Sequence, residues 1–196
     1  MIEFFAPKKT TRDGLTIRCY RLDDAEQLMT ATNLSYDHLK RFMPWATPAQ
    51  SFDETVTLIE GFGAAYHANQ DFAFGIWDDG EQNLIGGSGF HLREGPLETN
   101  SAEIGLWINK SYAGRGLGRR ALRVLIEWGF TDWPWVRLAW RCNAENIASI
   151  RCAESNGMVR EGTLRHQFNP VDGSRRDTAC YAILKREWAK IVVPND

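Results

Sequence analysis

The amino-acid sequence predicts an α/β (α+β) fold, a mixed and mostly antiparallel sheet of about seven strands with helices on both faces. Segments whose apolar residues alternate with period two are interleaved with segments of helical period. Three strand-like segments follow one another within residues 71–109, which is typical of an antiparallel meander. The strand–helix–strand order across residues 101–143 requires one parallel pair in the same sheet. Because no repeat or flexible linker interrupts the chain, residues 1–196 are interpreted as a single domain.

The predicted element order is βαα-βββ-α-β-α-ββ. Residues 15–20 alternate as a strand, and residues 23–39 follow with helical spacing. Residues 42–45 break this pattern, and Ser51 with Glu54 forms the capping box of a second helix. The remaining strands are predicted at 72–77, 84–92, 101–109, 136–142, 158–168 and 175–184, and the remaining helices begin at Leu117 and Ile147.

Composition and charge argue against several classes of function. The net charge of −2 gives no general basic field for nucleic acid. No apolar run is long enough for a membrane span. The N-terminal residues lack a basic start followed by an apolar run, so we expect no signal peptide. The cysteines lack metal-ligand spacing, so we expect no metal site and reduced thiols in a cytoplasmic protein; they are Cys19, Cys142, Cys152 and Cys180.

A glycine–arginine loop precedes the helix that begins at Leu117. Between Lys110 and Arg123 the chain has five basic residues and no acidic one, and glycines are interleaved with them. The first N–H groups of a helix have no partner within the helix and carry partial positive charge. Glycine lets an anion approach the backbone, and arginine adds charge-assisted hydrogen bonds. The loop therefore predicts a site for a phosphate or pyrophosphate.

Other interpretations of this loop are weaker. It lacks the Gly-Lys-Ser/Thr ending of a nucleotide-binding P-loop. Residues 116–121 match the dinucleotide pattern G-x-G-x-x-A, but that pattern should directly follow the first strand of a βαβ unit. An ordinary turn before a basic, solvated helix is the remaining alternative.

Two stretches of sequence resemble a known family. Residues 102–122 are similar to the acetyl-coenzyme A-binding motif of the GCN5-related N-acetyltransferases (GNAT), written [QR]-x-x-G-x-[GA], with Ala113 where glutamine or arginine is usual. Residues 143–165 resemble the N-x-x-N-x-x-S…E-G-x-x-R pattern of the RimJ/RimL-like branch. Residues 42–45 and 177–188 also resemble that branch, so the resemblance covers nearly the whole chain.

The resemblance implies an acetyl-CoA site within residues 101–157 and an acceptor side formed by 36–52 and 158–184. It implies that the free edges of a splayed pair of parallel strands bind the pantetheine amides. The implied cofactor-binding residues are Ile104, Leu106, Trp107, Ile108, Ala113, Gly114, Arg115, Gly116, Leu117, Gly118, Arg119, Arg120, Asn143, Asn146 and Ser149. The candidate acceptor-binding residues are Phe42, Trp45, Trp107, Arg165 and His166.

Three residues are predicted to carry the chemistry. Glu103, an acidic residue in an otherwise apolar strand, is the candidate base, and a structural pair with an arginine such as Arg141 is the alternative. Asn146 and Ser149 are three residues apart on a short helix and share a face. With the resemblance, we expect Asn146 to hydrogen-bond the cofactor and Ser149 to protonate or solvate the leaving sulfur. A serine that only bonds back to the preceding turn is the alternative.

Two neighbouring side chains receive structural interpretations. Asn143 could cap the short helix. Strand alternation places Cys142 in the core with Val136, Leu138 and Trp140, so we expect direct attack on acetyl-CoA rather than an acyl-enzyme.

The acceptor amine is the least determined part of the prediction. The branch resemblance implies the N-terminal α-amine of a protein, of the ribosomal-protein type. A small amine, such as an aminoacyl-nucleotide or an antibiotic, is the first alternative. A non-catalytic acyl-CoA-binding protein is the alternative from another class. The closing residues from Glu187 onward could pack on their own domain or on a partner, which leaves room for a homodimer.

Overall fold

Eight strands form one mixed sheet in the computed structural model, which describes residues 4–43, 45–169 and 173–192. The strands are β1 (Lys9–Arg12), β2 (Leu15–Arg18), β3 (Asp71–Asp78), β4 (Leu84–His91), β5 (Ser101–Ile108), β6 (Arg137–Asn143), β7 (Val159–Phe168) and β8 (Arg175–Leu184). The helices are α1 (Ala25–Leu39), α2 (Phe52–His67), α3 (Leu117–Thr131), α4 (Ile147–Glu154) and α5 (Lys185–Val192). Pro44 of the predicted break and the last four residues of the chain lie outside the described residues.

The seven predicted strands and four predicted helices are all present, and β1 and α5 were missed. β1 has the polar sequence KTTR, so it lacks the alternation of apolar and polar residues that predicts a strand. It pairs with β2 across a two-residue turn in which Asp13 and Gly14 both have positive φ, 50° and 64°. An Asp-Gly turn is a strong hairpin signal, and it could have revealed β1. Helix α5 packs through the buried Trp188, so this part of the C-terminal segment lies on its own domain.

The strand order is β1-β2-β3-β4-β5-β6-β8-β7, and every pair is antiparallel except β5–β6. Helix α3 lies on the crossover between these two parallel strands. Their pairing is short, because only residues 101–103 of β5 pair with residues 137–139 of β6. The other edge of β5 stays paired with β4 as far as Ile108, and the other edge of β6 stays paired with β8 as far as Asn143. The two strands therefore splay, and each presents one free edge to the gap.

Helices cover both faces of the sheet. On one face, α3 packs into the larger core, where Trp133 and Trp135 stack with ring centroids 5.6 Å apart. On the other face, α1 and α2 pack against Trp77 and Leu84 in a smaller cluster. The capping box of α2 is confirmed, because the Ser51 hydroxyl accepts from the Glu54 N–H and the Glu54 carboxylate accepts from the Ser51 N–H. Among the described residues, no helix is long and apolar enough to cross a bilayer.

Two glycines should respond oppositely to the same substitution. A Cβ at Gly86 of β4 would overlap the carbonyl oxygen of Trp107 and lie 3.1 Å from Ile108 Cα, so β4 and β5 would have to move apart. We expect Gly86→Ala to destabilise the protein by about 1–3 kcal/mol. Gly61, on the exposed side of α2, has no atom within 4 Å of its Cβ position. Gly61→Ala should stabilise the fold by about 0.5–1 kcal/mol, because alanine has lower entropy in the unfolded chain. Thermal and urea unfolding of both variants measure the two signs, and equal effects would contradict the packing described here.

Candidate active site

One cavity of about 860 Å³ occupies the gap between the splayed strands and continues toward the α1–α2 connection and the β7–β8 pair. It brings together nine residues predicted from sequence: Phe42, Trp45, Glu103, Ile104, Leu106, Trp107, Asn143, Asn146 and Ser149. Its volume is in the range of small-molecule and cofactor sites. Side chains predicted for the donor, for catalysis and for the acceptor therefore line a single space.

The glycine–arginine loop leads into α3 without a side-chain cap. Gly114 and Gly116 have φ values of 76° and 74°, a conformation that favours glycine, and Gly116 is the N-cap residue. Because no side chain caps this terminus, the first N–H groups of α3 stay available to an anion. Ala113, where the family has a long polar side chain, is extended and exposed. The backbone geometry of the loop therefore fits the phosphates of coenzyme A.

The loop arginines differ in their surroundings. Arg115 and Arg119 are exposed, and the guanidinium of Arg115 lies 5.6 Å from the centre of the Tyr112 ring. Arg120 instead has its Nε 3.9 Å from Asp13 Oδ2, in the β1–β2 turn. At the start of α3, Leu117 is half-buried, and the Cβ position of Gly118 lies 3.5 Å from Ile108. Arg115 and Arg119 are thus the freer cations beside the helix N-terminus.

Asn146, rather than Asn143, is the N-cap of α4. The Asn146 Oδ1 accepts a hydrogen bond from the Ser149 N–H at 3.1 Å. Asn143, which sequence analysis considered as the cap, accepts from the Glu145 N–H at 2.8 Å. The cap is one turn later because β6 continues through Asn143 before the chain bends. The amide nitrogen of Asn146 remains available as a donor toward the cavity.

The Ser149 hydroxyl is held by an indole. Trp140 Nε1 donates to Ser149 Oγ at 3.0 Å. Indole N–H is a donor only, so this bond uses a lone pair of the serine oxygen and leaves its proton free to donate. The alternative of a serine bonded back to its own helix is not what the structure shows. The geometry fits a proton donor to a leaving group.

Cys142 packs against the larger core, as strand alternation predicted, but it is not fully buried. It is half-buried and lines the cavity, and Val136 lies before β6 and is half-exposed. The reason is the splay, because beyond Ala139 no neighbouring strand covers that edge of β6. Burial raises the pKa of the Cys142 thiol, against opposing hydrogen bonds from Ser149 and Trp140. The thiol therefore stays protonated at neutral pH and is a poor nucleophile.

Glu103 is buried at 3% exposure and faces two arginines. Arg93 Nη1 donates to its Oε1, and Arg141 Nε lies 3.6 Å from its Oε2. The predicted partner Arg141 is therefore present, and Arg93 is a second one that sequence analysis missed. Glu103 lines the cavity as a paired carboxylate.

The acceptor end is walled by aromatic and polar side chains. The Trp45 and Trp107 rings meet edge to face, with centroids 6.0 Å apart. Arg176 donates from Nη1 to the Phe42 carbonyl oxygen at 3.4 Å. The structure does not bring Arg165 and His166 into the cavity wall. They are exposed beside an irregularity in the β7–β8 register between Leu164 and Gln167, which turns them outward.

Sequence analysis also missed the floor of the cavity. Gly87, Gly89 and Gly105 share one sheet face, and aromatic rings occupy the space that their side chains would fill. A Cβ at Gly87 would lie 2.6 Å from Tyr20 Oη, and one at Gly105 would lie 2.7 Å from His91 Nε2. Gly87 and Gly89, two positions apart on β4, and Gly105 on the neighbouring β5 were the signal that could have revealed these rings.

Comparison with known proteins is consistent with this geometry. The family model described as "Acetyltransferase (GNAT) domain" matches residues 14–159, most of the chain. The chain belongs to the GNAT acetyltransferases. It is therefore an acetyl-CoA-dependent acetyltransferase with the α/β fold of that family, and acetyl-CoA is the cosubstrate.

Individual relatives refine the placement of this GNAT chain. It is 29% identical to the uncharacterized N-acetyltransferase p20 of Bacillus licheniformis, over 90% of this chain and 96% of the relative. It is 30% identical to the ribosomal-protein-serine acetyltransferase of Escherichia coli (strain K12), over 74% of this chain and 78% of the relative, which supports the RimJ/RimL-like branch. Its fold is similar to that of the microcin C7 self-immunity acetyltransferase MccE, solved with acetyl-CoA and AMP. The TM-score is 0.79 at 21% identity, covering 88% of this chain and 93% of the other.

The loop arginines should contribute to acetyl-CoA affinity. Replacing both Arg115 and Arg119 with alanine removes two cations beside the uncapped terminus of α3. We expect the Kd for acetyl-CoA to rise about tenfold or more, with a weaker salt dependence. The control is Arg151→Ala with Arg186→Ala, which removes the same charge from two exposed positions elsewhere. Calorimetric titration compares the pairs, and equal affinities would refute the predicted phosphate site.

Proposed function

We propose that this GNAT enzyme acetylates a protein N-terminal α-amine, of the ribosomal-protein type, by direct attack on acetyl-CoA in a ternary complex. The observation that carries the proposal is the single cavity. The free edges of β5 and β6, the Ser149 hydroxyl and the aromatic acceptor end all border it. Donor and acceptor can therefore meet without a covalent intermediate, and the protonated Cys142 offers no better route.

The donor would lie along the splay. The uncapped start of α3, with Arg115 and Arg119, would hold the phosphates. The free edge of β5 from Ile104 to Ile108 offers backbone N–H and C=O groups to the pantetheine arm. The Asn146 amide nitrogen is a further donor at the same end of the gap.

The leaving sulfur needs a proton when the thioester bond breaks. Because Trp140 donates to a lone pair of the Ser149 oxygen, the Ser149 O–H remains a donor, and the neutral Cys142 thiol beside it is only a weak competing acceptor. The Ser149 N–H bond to Asn146 fixes the position of this side chain at the start of α4. We assign to Ser149 the donation of a hydrogen bond, and then a proton, to the departing thiolate.

Two groups in the cavity could accept the proton that the amine loses. Glu103 was predicted from sequence, and its Oε2 lacks a hydrogen bond although Arg141 is near. His91 is added by the structure.

The charge of the cavity favours a peptide amine over a polyamine. Among the described lining residues the charged ones are Arg93, Arg141, Arg176 and Glu103, and this carboxylate is already paired with Arg93 and Arg141. A second ammonium group of a polyamine would find no free carboxylate among the described lining residues. Arg176 has no carboxylate partner among the described residues and could hold a backbone carbonyl or an acidic side chain of a peptide.

A small acceptor is the second candidate, with one observation in its favour. The exposed Trp45, in contact with Trp107, could stack with a nucleobase. The related fold of MccE was solved with AMP. A non-catalytic acyl-CoA-binding protein is the third candidate, and the Ser149 hydroxyl, placed in the cavity as a donor, counts against it.

We also propose a cytoplasmic location and a homodimer. A cytoplasmic location accords with four free cysteines in the described chain. Strand β7 lies at the edge of the sheet and exposes Val159 and Phe168, so it offers an edge for a homodimer. Light scattering on the eluting protein tests the dimer, and a monomeric mass would refute it.

Ser149→Ala should separate chemistry from binding. We expect kcat to fall about 10- to 100-fold while the KM for acetyl-CoA changes less than about threefold, because the lost proton matters when the C–S bond breaks. The matched control is Ser155→Ala at the other end of α4, whose hydroxyl bonds only the Cys152 carbonyl. Release of CoA measured by a thiol reagent gives both constants. Loss of acetyl-CoA affinity with unchanged kcat would contradict the assigned role.

A panel of acceptors decides between the candidates. With isotopically labelled acetyl-CoA and mass detection, we expect transfer to peptides with free α-amines and little transfer to spermidine, because of the cavity charge. Peptides blocked at the α-amine control for lysine acetylation. Preferred acetylation of an aminoacyl-nucleotide would establish the second candidate instead, and no transfer to any amine would favour the third.

A further inference from the structure

We propose that His91, oriented by Asp71, takes the proton from the acceptor amine, and that Glu103 instead holds the arginines of the cavity wall. This inference rests on the acetyl transfer proposed above and adds the identity of its base. The observation behind it is a row of three polar residues across neighbouring strands. Asp71 of β3 pairs with His91 of β4, and His91 pairs with Glu103 of β5. Residues directly opposite each other lie on the same face of a sheet, so all three face the same side.

Asp71 determines which nitrogen of His91 is available. The Asp71 Oδ1 lies 2.7 Å from His91 Nδ1, and a carboxylate can only accept, so Nδ1 carries the hydrogen. The neutral ring then has its lone pair on Nε2, and the carboxylate also stabilises the imidazolium formed after proton uptake. This arrangement of base and orienting carboxylate recurs in catalytic sites.

The glycine floor allows Nε2 to reach the cavity. The ring lies against Gly89 and Gly105, where a Cβ would be 2.9 Å and 2.7 Å from Nε2. The ring thus extends from β4 over β5, the strand whose free edge borders the splay. His91 lines the same cavity as Ser149 and Trp107, and its side chain keeps 21% exposure. An acceptor amine in the cavity can therefore approach Nε2.

Glu103 already faces two cationic partners. Its Oε1 accepts from Arg93, and Arg141 lies near its Oε2. Protonation of Glu103 would leave these arginines without their compensating charge in a buried region. The charged or titratable groups around His91 are Asp71 on β3, Glu103 on β5, Arg141 on β6 and Arg93 beyond β4. Burial raises the pKa of Tyr20, farther along the floor, so that phenol stays neutral.

The proposed step balances. The bound ammonium gives one proton to His91 Nε2, and the freed lone pair forms the N–C bond with the thioester carbonyl. The C–S bond then breaks, Ser149 gives its proton to the departing sulfur, and the second proton of the nitrogen replaces it on the Ser149 hydroxyl. The imidazolium returns its proton to solvent through the cavity mouth, so the products are the acetylated amine, CoA thiol and one released proton.

The test is the pH dependence of kcat/KM for an acceptor peptide in His91→Gln. An α-amine is itself largely deprotonated above about pH 8, so it needs a base less as the pH rises. We expect a loss of about 100-fold at pH 7 that shrinks to about tenfold or less at pH 9. Asp71→Asn should show a smaller loss with the same trend. Imidazole added to His91→Ala should restore part of the rate, which keeps the test valid where His91→Gln folds poorly.

Controls separate this role from a structural one. His38→Gln alters an exposed histidine on α1 and should leave the profile unchanged. Glu103→Gln should lower the rate by the same factor at every pH. The proposal is overturned by near-normal His91→Gln activity at pH 7, by a loss that does not change with pH, or by the pH-dependent loss appearing in Glu103→Gln instead. Those results require an active wild type, whereas a wild type inactive toward every amine would overturn the proposed function as well.

Discussion

The short pairing between β5 and β6 is the constraint on which the site depends. A parallel pair that continued to Ile108 would satisfy every backbone group and would leave no gap. Because pairing ends after three residues, the free edges of both strands need another partner. The chain tolerates this because β4 and β8 hold the outer edges, and α3 and α4 pack close to the gap. An extended ligand with amide groups can supply the missing hydrogen bonds.

Charge in the cavity is arranged around this gap. A buried carboxylate without partners would be costly, and Glu103 avoids that cost by facing Arg93 and Arg141. Arg141 also reaches Glu94, which in turn bonds Arg137. This network joins the start of β5 to β6 at the point where the strands part. It can support the splay mechanically while a separate pair, His91 and Asp71, handles protons.

Sequence predicted the fold well because the fold depends on periodicity. The seven strands, four helices and the parallel crossover follow from alternation and capping. The polar strand β1 was not predicted because its residues carry no such pattern. The donor site stays a prediction; its loop could be proposed from the sequence because glycine spacing and local charge are readable along the chain. The surroundings of single side chains were not predictable. The partial exposure of Cys142 depends on where pairing ends, and the contact of His91 with Asp71 depends on the register between strands β3 and β4, in which the two residues are twenty positions apart.

The glycine floor limits how acceptor preference can change during evolution. At Gly87, Gly89 and Gly105 even one added methyl group meets a ring, so the floor cannot be reshaped in small steps. Around Phe42 and Trp45 the α1–α2 connection is half-buried to exposed and lies outside the sheet. Substitutions can accumulate there without disturbing the sheet. Among relatives that use different amines, we therefore expect most sequence differences in that connection and the same small residues in the floor.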